Sequence, residues 1–213
     1  LVTAETLNVY STMLERLVTD FLSGSATNEL TGFDSLAGVN DTVQGLSGAT
    51  YSVWNSRGNL ARGTAVASIT FTGGSFSTRG ISDFIACYNN ATEGNRMPNV
   101  ILTTWDVHAF YENKLMQFER FTMGNGSATG NPSFGGLAFR KAAVLASPKA
   151  PSGTAFFMNT DVVYAMFMAG ADFTAQPFVQ ATQQEAKTSE LVAKFQMVCE
   201  DRRLVNKLTS ITA

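Results

Sequence analysis

The last third of the chain carries the pattern that most restricts its fold. From residue 190 to residue 200 every second side chain is apolar, and these positions are Leu191, Ala193, Phe195, Met197 and Cys199. A period of two predicts an antiparallel strand with one buried face. The charged turn at residues 201–203 leads into a second apolar stretch at residues 204–211, which predicts a closing strand. This part of the chain is therefore expected to build sheet.

Helical spacing of apolar residues marks three other segments. Residues 3–22 predict a long amphipathic helix, because apolar side chains recur at three- and four-residue intervals. At about 1.5 Å per residue it would span about 30 Å, enough to cross a domain. Residues 78–92 and 105–121 predict two further helices, with Thr104 as the N-cap of the second. Short apolar strands are predicted at residues 100–102, 137–145 and 155–158. The expected fold class is α+β with mostly antiparallel sheets.

The composition limits the classes of function. A chain of 213 residues suits one large domain or two intimately packed ones. Charged residues make up 15%, below the ~25% of typical domains, which fits either a surface that faces other subunits or a modestly charged β-rich protein. The net charge of −2 argues against a dedicated nucleic-acid binder. The longest apolar run, residues 162–169, falls short of the ~18 residues that cross a bilayer.

Side chains that could carry chemistry are present but do not form a site. His108 is the single histidine, and neither cysteine lies near it in sequence, so a zinc site would lack ligands. Cys87 is predicted on the apolar side of a helix, where burial raises a thiol's pKa, and Cys199 is interpreted as a second buried thiol. The glycine-rich run at residues 124–130 lacks the spacing and context of a phosphate-binding loop. We therefore expect no catalytic, cofactor-binding or metal-binding residue, and no enzyme.

Basic residues and sequons are scattered. The sequons at Asn40, Asn90 and Asn125 are interpreted as loop composition, not as glycosylation sites. The basic side chains are interpreted as solvated faces or salt bridges between subunits, and they are Arg57, Arg62, Arg79, Arg96, Arg120, Arg140, Lys141, Arg202 and Arg203.

The order of several short motifs resembles a known family. The motifs are Met97-Pro-Asn-Val-Ile-Leu-Thr-Thr104, Gly135-Gly-Leu-Ala-Phe139, Ala146-Ser-Pro-Lys-Ala-Pro151, Phe156-Phe-Met-Asn-Thr160 and Cys199-Glu-Asp-Arg-Arg203-Leu-Val-Asn-Lys-Leu208. Behind a long helix, and in this order, they resemble the shell-forming core of tailed-bacteriophage major capsid proteins. The likeness is strongest over residues 97–211.

The resemblance implies a single capsid-type core over residues 1–213, with a long spine helix and two subdomains. The peripheral part is expected at about residues 1–23, 137–160 and 205–213, and the axial part at residues 24–136 and 161–204. Family members carry an N-terminal arm and an extended β-hairpin before the spine helix. Both are missing from this sequence, which starts at Leu1 without an initiator Met, so a processed or truncated product is expected.

The function that the resemblance implies is structural. The chain would be a subunit that assembles with itself into pentamers and hexamers of the icosahedral shell that encloses phage DNA. DNA would be met only by non-specific proximity, scaffold and maturation protease are possible partners, and no membrane is expected. The location would be the virion, assembled in the cytoplasm of the host bacterium. Residues 24–45 and 122–136 are the expected subunit contacts.

Two alternatives from the sequence stay open. An encapsulin-like nanocompartment shell would share the fold and enclose cargo protein instead of DNA. A secreted or cell-surface β-rich binding domain is suggested by the Thr, Ser, Gly and Asn content and the sequons. The long predicted helices and the lack of a secretion signal in the sequence count against that second alternative.

Overall fold

A computed structural model describes residues 2–24, 30–56, 69–70, 75–116, 137–180 and 187–213. These residues form an α+β fold, as predicted. The α-helices are α1 (Val2–Ser23), α2 (Phe33–Leu36), α3 (Ile81–Asn90) and α4 (Trp105–Met116). The strands are β1 (Thr42–Val43), β2 (Leu46–Ser47), β3 (Ile69–Thr70), β4 (Val100–Thr103), β5 (Ala138–Phe139), β6 (Ala142–Ala146), β7 (Ala155–Met158), β8 (Val163–Phe167), β9 (Thr174–Ala175), β10 (Val179–Gln180), β11 (Lys187–Thr188), β12 (Leu191–Val192), β13 (Phe195–Cys199) and β14 (Val205–Thr209).

The predicted helices are confirmed where the structure describes them. Helix α1 matches the expected long helix within one residue at each end. Helix α4 starts after Thr104, whose hydroxyl accepts a hydrogen bond from the amide of Val107 at 3.4 Å, as an N-cap does. Residues 117–121 of that predicted helix lie outside the described residues, as does the expected loop at 122–136 with its glycine run at 124–130.

Helix α3 begins three residues later than predicted, at Ile81. A single π-helical turn, Phe76–Gly80, precedes it and places the Phe76 ring over the backbone of Gly80. A Cβ at Gly80 would lie 2.5 Å from that ring, so the turn needs a residue without a side chain. The turn therefore replaces the predicted first turn of the helix.

One six-stranded sheet forms the centre of the fold, in the order β3-β14-β7-β4-β6-β5. Strands β4 and β6 are parallel, as are β14 and β3, while the other three pairings are antiparallel. Strand β7 buries all four of its side chains: Ala155 and Phe157 enter one apolar cluster, and Phe156 and Met158 enter the other. Because both faces of β7 are covered, its sequence is apolar throughout instead of alternating.

The prediction of one strand over residues 137–145 is wrong. The chain forms a tight hairpin there, in which Phe139 pairs with Ala142 and Arg140 and Lys141 make the turn. Arg140 adopts a φ of 54°, the left-handed conformation that two-residue hairpin turns require. Neither residue is a glycine or asparagine, so the sequence gives no ordinary turn signal.

Each face of the sheet carries its own apolar cluster. Helices α3 and α4 cover one face, where the Phe84 ring lies 5.3 Å from the ring of Phe157 and 5.7 Å from that of Tyr111. The other face is covered by α2, by Val43 and by Met197 of β13. The sheet is therefore a shared wall between two cores.

The expected division into peripheral and axial parts crosses this sheet. Strand β4 comes from the segment expected to be axial, and it pairs on both sides with β6 and β7, which come from the segment expected to be peripheral. Which segments face a symmetry axis stays a prediction. None of the described helices combines the length and the hydropathy that a bilayer crossing requires.

Candidate assembly surface

A long two-stranded ribbon leaves the edge of the second cluster. It comprises residues 163–180 and 187–199, and its pairs run from Val163 opposite Cys199 to Gln180 opposite Lys187. Backbone hydrogen bonds continue the ladder between its three short strand pairs, for example from Met168 N to Lys194 O at 2.9 Å. Among the described residues no third strand pairs with either edge of the ribbon.

The predicted alternation is confirmed in the part of the ribbon nearest the core. In β13, Met197 and Cys199 are buried, whereas Val198 between them is half-buried and Gln196 before them is exposed. The strand predicted over residues 190–200 is divided at positions 193–194, because the opposite strand carries extra residues there. Gly170 and Phe173 of that opposite strand have φ values of 79° and 46° and form the irregular segment.

Helix α1 contacts the ribbon through aromatic rings. The ring centroids of Phe21 and Phe195 are 5.4 Å apart, and those of Tyr10 and Phe173 are 6.0 Å apart. Leu22 at the C-terminal end of α1 is buried, but Leu7, fifteen residues nearer the N-terminus, is 66% exposed. A helix of this length takes most of its stability from packing of its apolar stripe. In α1 that stripe stays largely in contact with solvent.

Helix α1 and the ribbon together expose a large apolar surface. Its exposed side chains, hereafter the apolar surface, are Leu7, Val9, Tyr10, Leu14, Val18, Tyr164, Met166, Phe167, Met168, Phe178 and Val179. At 150–250 Å² for a large side chain, they expose on the order of 1,000 Å². Singly exposed apolar side chains are normal on a monomer, whereas a contiguous patch above about 300–600 Å² marks a contact site. Because Tyr164, Met166 and Met168 lie on one face of the ribbon and Phe167 on the other, the total is divided among several patches.

An open recess of about 430 Å³ lies beside this surface. This cavity is hereafter called the recess, and it is lined by Val18, Phe21, Leu22, Phe33, Leu102, Ser147, Val163, Tyr164, Ala165 and Met197. Helix α1 supplies one wall, the ribbon a second and the central sheet the floor. Ser147 and the hydroxyl of Tyr164 are its polar side-chain groups, so the recess suits mainly apolar side chains.

Arg202, which follows the ribbon in sequence, hydrogen-bonds to the segment around α2. Its guanidinium is fully buried and donates to four backbone carbonyl oxygens, those of Leu36 (3.0 Å), Asp41 (3.0 Å), Ser35 (3.1 Å) and Gly38 (2.6 Å). Burial lowers the pKa of Arg202 below its ordinary value. The interpretation of Arg202 as a solvated or inter-subunit cation is wrong, because the four acceptors replace water.

The neighbouring Arg203 forms ion pairs within the chain. It donates to both carboxylate oxygens of Asp201 at 2.9 Å and lies 3.8 Å from Glu93. Burial alone would raise the pKa of Asp201, but the hydrogen bonds and charge of Arg203 lower it below the ordinary value. Arg140 likewise donates to Asn89 at 2.7 Å and lies over the ring of Tyr88. Arg203 and Arg140 therefore interact with residues of their own chain.

The side chains with potential chemistry are not brought together. Burial, followed by the charge of Asp83, raises the pKa of Cys87 well above its ordinary value. Burial also raises the pKa of Cys199 to about 11. His108 lies on α4 beside the ring of Trp105. In the part of the chain that the structure describes, no three side chains of the metal-binding types gather.

The expected contact segment at residues 24–45 serves the interior over much of its described length. Leu36, Ala37 and Val43 are buried in the second cluster. A contact role for its remaining residues stays a prediction. Of the sequons, Asn40 has a φ of 64° in a turn and donates its amide to Asn55, Asn90 ends α3, and Asn125 lies outside the described residues.

Comparison with known proteins gives matches only at the level of structure. No protein-family model and no curated sequence matches the chain. A subunit of the cyanophage A-1(L) capsid asymmetric unit matches it with a TM-score of 0.66 at 13% identity, over 100% of this chain and 70% of that one.

Two further matches are more distant. The holo-SrpI encapsulin complex of Synechococcus elongatus PCC 7942 has a TM-score of 0.45 at 12% identity, over 68% of this chain and 52% of that one. A virus-like particle from Pyrococcus furiosus has a TM-score of 0.42 at 12% identity, over 66% and 54%. The cyanophage match is the one that carries the conclusion: this chain has the fold of a phage capsid subunit, as the order of its motifs predicted.

Proposed function

We propose that this chain is a structural subunit of a virus capsid, which assembles with itself into the icosahedral shell that encloses phage DNA. The observation that carries the proposal is the cyanophage capsid match, which extends over the whole chain. The apolar surface supports it as well, because its side chains lie along α1 and the ribbon, where a neighbouring subunit would cover them.

The geometry suits a subunit whose function is to form contacts with copies of itself. The central sheet, packed on both faces, gives a stiff body, and α1 with the ribbon extends the contact surface beyond it. Rings of five and six need heterologous contacts, in which one surface of each subunit meets a different surface of the next. The chain offers two such surfaces, the recess and the outer end of the ribbon.

DNA is proposed to be enclosed without specific recognition. The net charge is −2, and Arg79, Arg202 and Arg203 pair within the chain. Protonated, buried thiols favour a structural over a catalytic role for both cysteines. A scaffold, a maturation protease, a place in the virion and assembly in the host cytoplasm follow from the family resemblance and belong to the proposal.

Electron microscopy of negatively stained protein, with light scattering on the same sample, tests the proposal. We expect rings or closed shells whose size distribution depends on concentration. Nuclease-resistant DNA in particles from infected cells would support a capsid, whereas particles that enclose only protein would favour the nanocompartment. A monodisperse monomer, unchanged by salt and concentration, would contradict both and favour a binding domain.

A further inference from the structure

The outer end of the described ribbon is an apolar projection that none of the other described residues covers. Phe178 and Val179 are 61% and 63% exposed. Thr188, which pairs with Val179, and Lys187, which pairs with Gln180, are exposed as well. A two-stranded hairpin is marginally stable when neither face is packed. This end of the ribbon, hereafter the tip (residues 178–180 and 187–188), therefore lacks the packing that would hold it.

The recess is the complementary feature on the same chain. It is concave, it is about 430 Å³ in volume, and its side chains are apolar except for Ser147 and the hydroxyl of Tyr164. Sites of several hundred Å³ with mainly apolar walls are those that bury apolar groups well. A phenylalanine and a valine side chain are within what such a recess accepts.

The tip and the recess of one molecule do not meet. Tyr164 lines the recess and pairs with Val198, whereas Val179 pairs with Thr188, ten positions along the shorter strand. At ~3.3 Å per residue the tip is up to about 33 Å from the recess. The high exposure of Phe178 and Val179 agrees with this separation. A contact between tip and recess must therefore join two molecules.

We propose that the tip of one copy inserts Phe178 and Val179 into the recess of a second copy, between α1 and β8. The occupant is a second copy because the chain carries both halves of the contact. The exposed members of the apolar surface that this contact would bury are Val18 and Tyr164 in the recess and Phe178 and Val179 in the tip. The contact is heterologous, so it closes into a ring when the rotation between copies permits and otherwise continues as a filament. This contact names the partner surfaces of the proposed shell and rests on that function.

Cross-linking between two single-cysteine additions tests the contact. Phe178→Cys and Val18→Cys proteins, with different affinity tags, are mixed and treated with a short bismaleimide. Cys87 and Cys199 are buried and should not react on this timescale. We expect a cross-linked dimer that carries both tags, at a yield at least tenfold above that of a mixture of Phe178→Cys with Val53→Cys. Val53 is 75% exposed and lies outside the recess, so it controls for random collision.

A second variant measures the energetic role of the tip. Phe178→Asp places a charge where an apolar wall is expected, and it should weaken self-association at least tenfold in sedimentation velocity. Val53→Asp is the matched control and should leave association unchanged. Both positions are exposed in one molecule, so both variants should keep the parent's melting temperature and circular dichroism.

The outcomes separate this contact from the proposed function. Particles without a tip-to-recess cross-link would overturn the contact and leave the shell function standing. A mixed cross-link without rings or shells would support the contact and count against the shell. Protection of Val18→Cys from a small thiol reagent without a mixed cross-link would overturn the contact, since another segment then fills the recess. Cross-linking within a single Val18→Cys/Phe178→Cys molecule at high dilution would overturn it too.

Discussion

Arg202 joins two segments that lie far apart in sequence, and its removal tests how much that junction stabilises the fold. In Arg202→Met four carbonyl oxygens around α2 lose a charged donor while they remain buried. We expect a loss of about 3–5 kcal/mol in the free energy of unfolding, measured by urea denaturation. Arg16→Met is the matched control, because its 67% exposed side chain pairs with Asp20 at the surface of α1, and it should cost under about 1 kcal/mol. Similar losses in both variants would contradict the stabilising role assigned to the hydrogen bonds between Arg202 and the four carbonyl oxygens.

Asp201 should make stability depend on pH. Its folded-state pKa is lowered, so its charged form contributes stability above the unfolded pKa, and the contribution is lost as pH falls through the folded pKa. Asp201→Asn keeps one oxygen as acceptor for Arg203 N and Nε, and it removes the charge together with the acceptor of Arg203 Nη2. We expect a loss of roughly 0.5–1 kcal/mol at pH 7. The difference in melting temperature from the parent should shrink below about pH 4, near the ordinary pKa of aspartate. A difference that stays constant down to pH 3 would show that the charge of Asp201 is not responsible.

At the scale of elements, the turn before α3 depends on the contact between Gly80 and Phe76. Gly80 has a helical φ of −51°, so alanine would be favourable for the backbone, but its Cβ would meet the Phe76 ring. We expect Gly80→Ala to cost about 1–3 kcal/mol through that overlap. In a Phe76→Leu background the same change should cost less than half as much, which a double-mutant cycle by chemical denaturation measures. Equal costs in both backgrounds would place the strain elsewhere.

The elements also show which parts of the fold the sequence could predict. Helix α1 was predicted correctly from its helical period. The period of two located the strand at residues 190–200, but not its division into β12 and β13, because the extra residues that divide it lie on the opposite strand. The hairpin at Arg140 was missed, since a left-handed arginine leaves no compositional signal. The buried role of Arg202 was missed for a related reason: carbonyl acceptors belong to the backbone and are invisible in a sequence. The recess combines α1, β8 and the sheet, so only the tertiary structure brings its walls together.

At the scale of the whole molecule, strand β7 should make the two clusters unfold together. Phe157 belongs to one cluster and Phe156 to the other, yet the two residues are adjacent in one central strand. Phe156→Leu and Phe157→Leu should each cost roughly 1–3 kcal/mol. The two tryptophans lie near different clusters. Trp105 starts α4, which covers the cluster of Phe157, and the turn Ser52–Trp54 contacts the turn Arg202–Leu204, whose Leu204 belongs to the cluster of Phe156.

Single-tryptophan versions, made with Trp54→Phe or Trp105→Phe, then give one fluorescence probe for each cluster. We expect either leucine variant to shift the urea midpoint of both probes by the same amount, because neither cluster can lose β7 without exposing the other. If Phe156→Leu shifted the Trp54 transition alone, the clusters would be separate folding units. The sheet would then be a joint between two bodies, and a shell built from this chain could adapt to rings of five and six by bending at β7. A single shared transition instead requires that adaptation to come from α1, the ribbon and the contacts they make.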